Sequence, residues 1–159
     1  MIAVATKPIY LFDWGDTLMV DIPGQPGKMC DWPEVIACPD AATTLAQLSQ
    51  QADLYIATNA AESTPDDIEH AFSRVDLARY ISGYFCFTNI GARKGQPEFL
   101  QRIIEQLDAA PEQIIYVGDS LDKDVLPALA AGLNVVWLNG DNLIDTPKNV
   151  RRIKSLAEL

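Results

Sequence analysis

The chain has 159 residues, of which 48% are hydrophobic and 21% charged, an ordinary balance for one soluble globular domain. Twenty-two acidic against twelve basic residues give a formal net charge of −10, which argues against nucleic acid and anionic membranes as partners. No apolar run is long enough to span a membrane, and the stretch 2–11 is a poor signal peptide because Lys7-Pro8 interrupts it.

Short apolar runs alternate with helical patterns along the whole chain, without an internal repeat or a linker. The first half predicts strands at 9–12 and 54–57, and helices at 40–50 and from residue 63 to about residue 75. The second half predicts strands at 84–87, 114–117 and 135–138, and helices at 97–107, 123–131 and 150–156. This alternation predicts one α/β domain over 1–159, a three-layer Rossmann-like fold with a five-stranded parallel sheet.

The segment 19–39 is the least regular part of the chain, because it is rich in glycine and proline. Its Met29, Trp32 and Val35 are available to pack against the domain. A long irregular segment in a compact domain is usually functional or mobile. Since it follows closely on Asp13, it is interpreted as a flap-like loop over a site, with a loop of no such role as the alternative.

Polar residues follow three of the predicted strands, where the carboxyl ends of parallel strands form a ligand-binding edge. They are Asp13, Thr58 and Asp119, with Asp124 shortly beyond, and Lys94 lies in the connection after the third strand. Carboxylates about 4 Å apart repel by about 4 kcal/mol at an effective dielectric near 20. Such a cluster requires a counter-ion, and Mg²⁺ is expected because it takes oxygen ligands and bridges to phosphate.

Four short motifs in order resemble those of the haloacid dehalogenase superfamily. They are an aspartate-initiated loop ending in threonine, a threonine after the second strand, a lysine, and an acidic pair. Here these are FDWGDTL at 12–18, IATN at 56–59, RKGQP at 93–97, and VGDS at 117–120 with Asp124. Each motif alone is weakly specific, but the four together cover nearly the whole chain on a matching strand–helix background.

The resemblance implies hydrolysis of a small phosphorylated substrate through a covalent intermediate. Asp13 is then the nucleophile that attacks phosphorus and forms an aspartyl-phosphate. Thr58 and the backbone amide of Asn59 hold phosphoryl oxygens. Lys94 offsets the developing charge and orients the carboxylate of Asp13.

The resemblance also implies a Mg²⁺ site at the same edge of the sheet. Its ligands are the Asp13 carboxylate, the Gly15 backbone carbonyl and Asp119. Asp124 is either a further ligand or a neighbour that holds the ligands in place.

The chain departs from the family pattern at the general acid. Family phosphatases carry a second aspartate two residues after the nucleophile, and this position is Gly15 here. Asp16 follows it, so either the acid is lost or an unusual loop brings Asp16 into the site. Loss of a general acid costs a factor of about 10²–10⁴ unless the leaving group needs no proton. Phosphonate-cleaving or dehalogenase-type chemistry, and a catalytically weak phosphate-binding module, therefore remain as alternatives.

The connections are too short for the cap domain that encloses the substrate in many relatives. About 35 residues separate Leu18 from the second strand, and about 34 separate Asn59 from Lys94. An open site is expected, closed by the 19–39 loop or by a second subunit in a homo-oligomer. The odd number of cysteines without a CxxC pair predicts free thiols in a reducing compartment and a cytoplasmic location.

Overall fold

The computed structural model describes residues 7–60, 62–139 and 144–159. The first residues of the apolar stretch considered as a signal peptide lie outside this range. Within these ranges, six strands form one sheet in the order β3-β2-β1-β4-β5-β6, and every neighbouring pair is parallel. Their bounds are β1 (Ile9–Phe12), β2 (Asp53–Ala57), β3 (Gly83–Phe85), β4 (Ile114–Gly118), β5 (Asn134–Leu138) and β6 (Val150–Ile153).

Helices cover both faces of the sheet. They are α1 (Ala41–Leu48), α2 (Pro65–Arg74), α3 (Phe87–Ile90), α4 (Pro97–Leu107) and α5 (Leu126–Ala130), the last preceded by a π-helical turn at Leu121–Val125. One buried apolar cluster includes side chains of α1 and α2, and a second includes side chains of α4 and α5. The three-layer Rossmann-like prediction is thus confirmed. None of the described helices is long and apolar enough to cross a bilayer.

The order of the strands in the sheet determines where a ligand-binding site can form. β1 lies in the middle of the sheet, and the chain continues from it to β2 on one side and later to β4 on the other. In such a sheet, ligands bind beyond the carboxyl ends of the strands at the point where the order reverses. The residues that follow β1 and β4 are Asp13 and Asp119, so the topology brings these two carboxylates together.

The prediction of five strands was wrong by one. The segment expected to begin a terminal helix at 150–156 is instead β6, which pairs in parallel with β5, followed by a short 3₁₀ turn at Leu156–Glu158. Val150, Ile153 and Leu156 recur every three residues, a spacing typical of a helix. Ile153 and Leu156 are nevertheless buried from a strand and a turn, with 1% and 2% of their surface exposed.

Most other boundaries lie within one or two residues of the sequence predictions, and in two places the kind of element also differs. The third strand ends at Phe85, and Phe87 begins the short helix α3 because the side chain of Asn89 accepts the backbone N–H of Cys86 and turns the chain. The helix expected at 123–131 begins two residues earlier, as the π-helical turn. The helix over Pro97–Leu107 has the predicted bounds.

The irregular segment 19–39 is anchored at its base and along its length. At the base, Val20 and Ile36, and likewise Leu18 and Cys38, are joined by backbone hydrogen bonds of 2.8 Å. Along its length, the guanidinium of Arg74 in α2 donates to three backbone carbonyls, those of Cys30, Trp32 and Pro33. Met29 and Trp32 are buried, as their sequence context predicted.

Candidate active site

The loop after β1 holds Asp13 at the end of the strand. The backbone N–H of Asp13 donates to the carbonyl of Val117 at 2.9 Å, which extends the pairing of β1 with β4 by one residue. The carbonyl of Trp14 then accepts the backbone N–H groups of Thr17, Leu18 and Met19, which closes a tight turn. Within this turn, the Thr17 hydroxyl donates to Asp13 Oδ2 at 3.0 Å. The Asp13 side chain is therefore fixed by its own loop.

Asp16 takes a backbone conformation that favours glycine. Its φ angle of 59° lies in the left-handed region, which aspartate enters more readily than most residues. Its Oδ1 accepts the backbone N–H of Asp21 at 3.0 Å. The carboxylate of Asp16 is thus engaged with the start of the 19–39 segment.

Lys94 is enclosed between two carboxylates. Its Nζ lies 2.5 Å from Asp13 Oδ1 and 2.9 Å from Asp124 Oδ1, and only 4% of its side chain is exposed. Burial alone would lower the pKa of Lys94, but the charges of both carboxylates raise it above its usual value. Burial likewise raises the pKa of Asp13, yet the charge of Lys94 and hydrogen bonds from Asp119 and Lys94 bring it below the ordinary value. Asp13 is therefore an ionised, buried carboxylate.

Asp124 is positioned by contacts that the sequence analysis missed. The Tyr116 hydroxyl donates to its Oδ1 at 2.7 Å, and the Ser120 backbone N–H donates to its Oδ2 at 3.1 Å. A Cβ on Gly118 would lie 2.5 Å from the Cβ and Cγ of Asp124, which is too close for any real side chain. Position 118 must therefore be glycine for Asp124 to reach Lys94.

Three carboxylates converge at this edge of the sheet. Asp13, Asp119 and Asp124 each offer an oxygen, and these oxygens lie within 4.8 Å of one another. Burial, the hydrogen bond and charge of Asp13, and the charge of Asp124 raise the pKa of Asp119 to about 8. With Lys94 as the counter-charge, these four groups would carry a net charge of −2 once a bound cation had displaced the proton of Asp119. A divalent cation with oxygen ligands fits this charge and this set of donors.

Thr58 and Asn59 follow β2, on the other side of β1 from Asp119. The backbone N–H of Thr58 donates to the backbone carbonyl of Phe85 in β3 at 2.9 Å. The Thr58 hydroxyl accepts the backbone N–H of Ala60 at 3.2 Å. The amide oxygen of Asn59 accepts the backbone N–H of Lys94 at 3.2 Å. This bond ties the loop after β2 to the loop that carries the lysine.

All the predicted site residues line one cavity of about 610 Å³. The structure therefore brings together every residue that the sequence analysis selected, and none lies elsewhere. Part of the cavity wall comes from the 19–39 segment, and these residues are Asp21, Gly27, Lys28, Met29 and Trp32. Asp21 and Lys28 were not selected from the sequence, because nothing in their local context distinguishes them from loop residues.

A family model described as haloacid dehalogenase-like hydrolase matches residues 15–132, so the chain belongs to that family and its resemblance is confirmed. The HAD-hydrolase YfnB of Bacillus subtilis (strain 168) is 28% identical over 121 residues. The match covers 72% of this chain and 49% of YfnB, so the chain spans about half the length of this curated relative.

Solved structures share the fold. A protein from Listeria monocytogenes serotype 4b superposes with a TM-score of 0.82 at 19% identity, over 96% of this chain and 94% of that one. The structure of YfnB bound to magnesium superposes with a TM-score of 0.76 at 18% identity, over 97% of this chain and 97% of the chain in that structure. A HAD phosphatase from Thermococcus onnurineus gives 0.63 at 28% identity, over 78% of this chain and 56% of that one.

Proposed function

We propose that this chain is a Mg²⁺-dependent hydrolase that cleaves small phosphorylated substrates through an aspartyl-phosphate on Asp13. The observation that carries the proposal is the burial of the Asp13 carboxylate against the ammonium group of Lys94. The carboxylate of Asp13 lines the cavity, is largely buried at 8% exposure, and has a pKa below its ordinary value because Lys94 lies against it. A buried carboxylate that stays ionised next to a cation is suited to nucleophilic attack.

The reaction proceeds in two displacements. A carboxylate oxygen of Asp13 attacks phosphorus, a bond from oxygen to phosphorus forms, and the bond to the leaving group breaks. Water then attacks the same phosphorus and releases Asp13 and inorganic phosphate. Lys94 holds Asp13 in its ionised form before the first step and offsets negative charge on the phosphoryl group during both steps.

Thr58, Asn59 and Lys94 form the phosphate-binding part of the proposed site. The Thr58 hydroxyl and the backbone N–H of Asn59 lie in a loop that a hydrogen bond joins to the loop of Lys94. These groups line the same cavity as Asp13. They would bind phosphoryl oxygens and orient phosphorus toward the nucleophile.

Mg²⁺ would be held by the carboxylates of Asp13 and Asp119 and by the backbone carbonyl of Gly15. Asp124 contributes to this site as a ligand or, through its contact with Lys94, as a positioning residue. When bound, the cation would neutralise charge on the phosphoryl oxygens. The convergence of three carboxylates supports this assignment, as does the magnesium in the structure of YfnB.

A direct assay tests the proposal. Purified protein with Mg²⁺ is expected to release phosphate from 4-nitrophenyl phosphate, and Asp13→Asn is expected to abolish that release. Protein quenched during turnover of ³²P-labelled substrate is expected to carry label on Asp13. Phosphate release that survives in Asp13→Asn would overturn the mechanism. Metal binding with no release and no label would instead indicate a phosphate-binding module.

Gly15 favours a second candidate, cleavage of a carbon–phosphorus or carbon–halogen bond. Such leaving groups place less demand on a general acid than an alkoxide does. A dehalogenase has the same fold at a TM-score of 0.67 and 22% identity. Halide release from a haloacid without added metal would favour dehalogenation, whereas metal-dependent release of phosphate from a phosphonate would favour the phosphonate reaction.

We further propose that the domain over 1–159 acts with the 19–39 segment as its flap. The segment contributes Met29 and Trp32 to the cavity wall, and its base directly follows the nucleophile loop. A cytoplasmic location fits the three free cysteines, Cys30, Cys38 and Cys86.

A further inference from the structure

The space beside Gly15 is occupied by a carboxylate from another part of the chain. A Cβ built on Gly15 would lie 3.5 Å from the Cβ of Asp21, 3.8 Å from its Cγ and 3.8 Å from its Oδ2. Apart from Gly15 and its chain neighbours, these are the three atoms nearest to that position. Position 15 is two residues after Asp13, so Asp21 brings a carboxyl oxygen to 3.8 Å from the point where a side chain at position 15 would begin.

The loop geometry accounts for this placement. The turn closed by the Trp14 carbonyl folds the chain back, and Met19 forms bridges with both Gly15 and Ala37. Val20 is then bonded to Ile36 at the base of the flap, and Asp21 is the next residue. Asp21 is therefore held beside the nucleophile loop, because the residues just before it pair with the end of the flap at Ile36 and Ala37.

Asp16 fixes the position further. In its left-handed conformation, Asp16 accepts the backbone N–H of Asp21 at 3.0 Å. This hydrogen bond explains why position 16 is an aspartate, although its backbone conformation favours glycine. It also holds the Asp16 carboxylate at the backbone of Asp21, a residue that lines the same cavity as Asp13.

We propose that Asp21 is the proton-transfer residue of the hydrolysis and that Asp16 is its positioning residue. This inference rests on the proposed function and deepens it. In the first displacement, the carboxylic acid of Asp21 gives its proton to the leaving oxygen as the bond between that oxygen and phosphorus breaks. In the second, the Asp21 carboxylate takes a proton from the attacking water as the bond between phosphorus and Asp13 breaks, which restores both residues.

Two aryl phosphates with different leaving groups test the assignment. Phenol leaves poorly as an anion and needs a proton, whereas 4-nitrophenol leaves readily without one. Asp21→Asn is expected to lower kcat for phenyl phosphate by about 10²-fold or more, the usual effect of losing a general acid. The loss for 4-nitrophenyl phosphate is expected to be at least tenfold smaller. A purely structural role of Asp21 would lower both rates equally, which would overturn the proposal.

A relocated acid gives an independent test. The double variant Gly15→Asp with Asp21→Asn places the carboxyl group two residues after Asp13 and is expected to recover at least tenfold of the lost phenyl phosphate activity. Asp31→Asn is the matched control, because Asp31 is an exposed acid of the same flap that does not line the cavity. It is expected to keep both activities. Absence of recovery in the double variant, with the fold intact by circular dichroism, would contradict proton transfer at this location.

The result separates this inference from the proposed function. If the native protein hydrolyses both esters and Asp21→Asn changes neither rate, the proton-transfer role of Asp21 is overturned. The assignment of Asp13 as the nucleophile is then unaffected. If the native protein hydrolyses neither ester and carries no phosphoryl label, the proposed function fails, and the role of Asp21 fails with it.

Discussion

Lys94 compensates two carboxylates that have little contact with solvent. Removing one partner of a buried ion pair leaves an uncompensated charge, which typically costs about 3–5 kcal/mol. Lys94→Met is therefore expected to lower the free energy of unfolding in Mg²⁺-free buffer by about that amount, and to abolish phosphate release. Urea denaturation measures the first effect. Lys154→Met, at an exposed lysine, is the control and is expected to change stability by less than about 0.5 kcal/mol.

Gly118 is required by a contact across the site. An added methyl group there would lie 2.5 Å from Asp124, whereas the nearest contact of one on Gly15 is 3.5 Å. Gly118→Ala must therefore displace Asp124 from Lys94, with a loss of about 1–3 kcal/mol, as in overpacked cores. Gly15→Ala is expected to cost less than about 0.5 kcal/mol. Equal losses in urea denaturation of the two variants would contradict this account.

Asp119 makes the stability of the metal-free protein depend on pH. Its pKa is raised from 3.8 to about 8, so the folded state keeps this proton where the unfolded state has lost it. Its contribution is complete below about pH 4 and is lost as the pH rises toward 8. The urea midpoint of the native protein is expected to fall relative to that of Asp119→Asn between pH 5 and pH 8. A constant difference would refute the assignment.

Mg²⁺ is expected to reverse this loss. Because the cation replaces the proton in the carboxylate cluster, it should raise the urea midpoint of the native protein more at pH 8 than at pH 5. Asp119→Asn is expected to respond weakly at both pH values. A stabilisation by Mg²⁺ that is equal at both pH values would show that the cation binds without displacing a proton from Asp119.

The sequence predicts the polar residues at the strand ends better than the other residues that contribute to the site. Asp13, Thr58 and Asp119 follow apolar strands, so the parallel topology alone brings them to one edge. Tyr116 and Asp21 carry no such signal. Tyr116 reads as a core residue of β4, and Asp21 as one acid in a loop, because their roles depend on contacts that exist only once the chain has folded.

At the scale of elements, apolar periodicity predicts five of the six strands and misses β6. The strands that it predicts are short apolar runs covered on both faces, a pattern with little ambiguity. β6 has charged residues at two of its four positions, Arg151 and Arg152, and its apolar spacing is helical. Parallel pairing with β5 decides its conformation, together with the stacking of Arg152 on Trp137 at 5.2 Å. Neither interaction is visible in local sequence.

Helix α2 is the support of the flap. Arg74, its last residue, donates to three flap carbonyls, and Lys28 of the flap forms an ion pair with Asp67 at 2.8 Å. Arg74→Ala is expected to release the flap, which would raise the rate of limited proteolysis within 19–39 several-fold while the sheet stays folded. Arg79→Ala, which removes an exposed arginine paired with Asp76, is the control. Equal proteolysis of both variants would exclude this role of α2.

For the molecule as a whole, the described residues contain no large cap, and the 19–39 segment is the cover that we propose for the site. The walls of the 610 Å³ cavity come from the strand-end loops and the flap of one chain. The formal net charge of the chain is −10, whereas the substrate that we propose is an anion. Local neutralisation by Lys94 and a divalent cation must therefore offset a repulsive field, and this accounts for the dependence on Mg²⁺ that we propose.

The flap also bears on whether a second subunit is needed. Because one chain supplies the proposed nucleophile, the phosphate-binding groups and the cavity wall, specific activity with 4-nitrophenyl phosphate is expected to stay constant over a hundredfold range of protein concentration. A site completed by a partner would instead lose activity on dilution, as mass action dissociates the subunits. Enzyme assays paired with sedimentation velocity distinguish the two. If specific activity and the sedimentation coefficient fall together on dilution, a second subunit of a homo-oligomer covers the site.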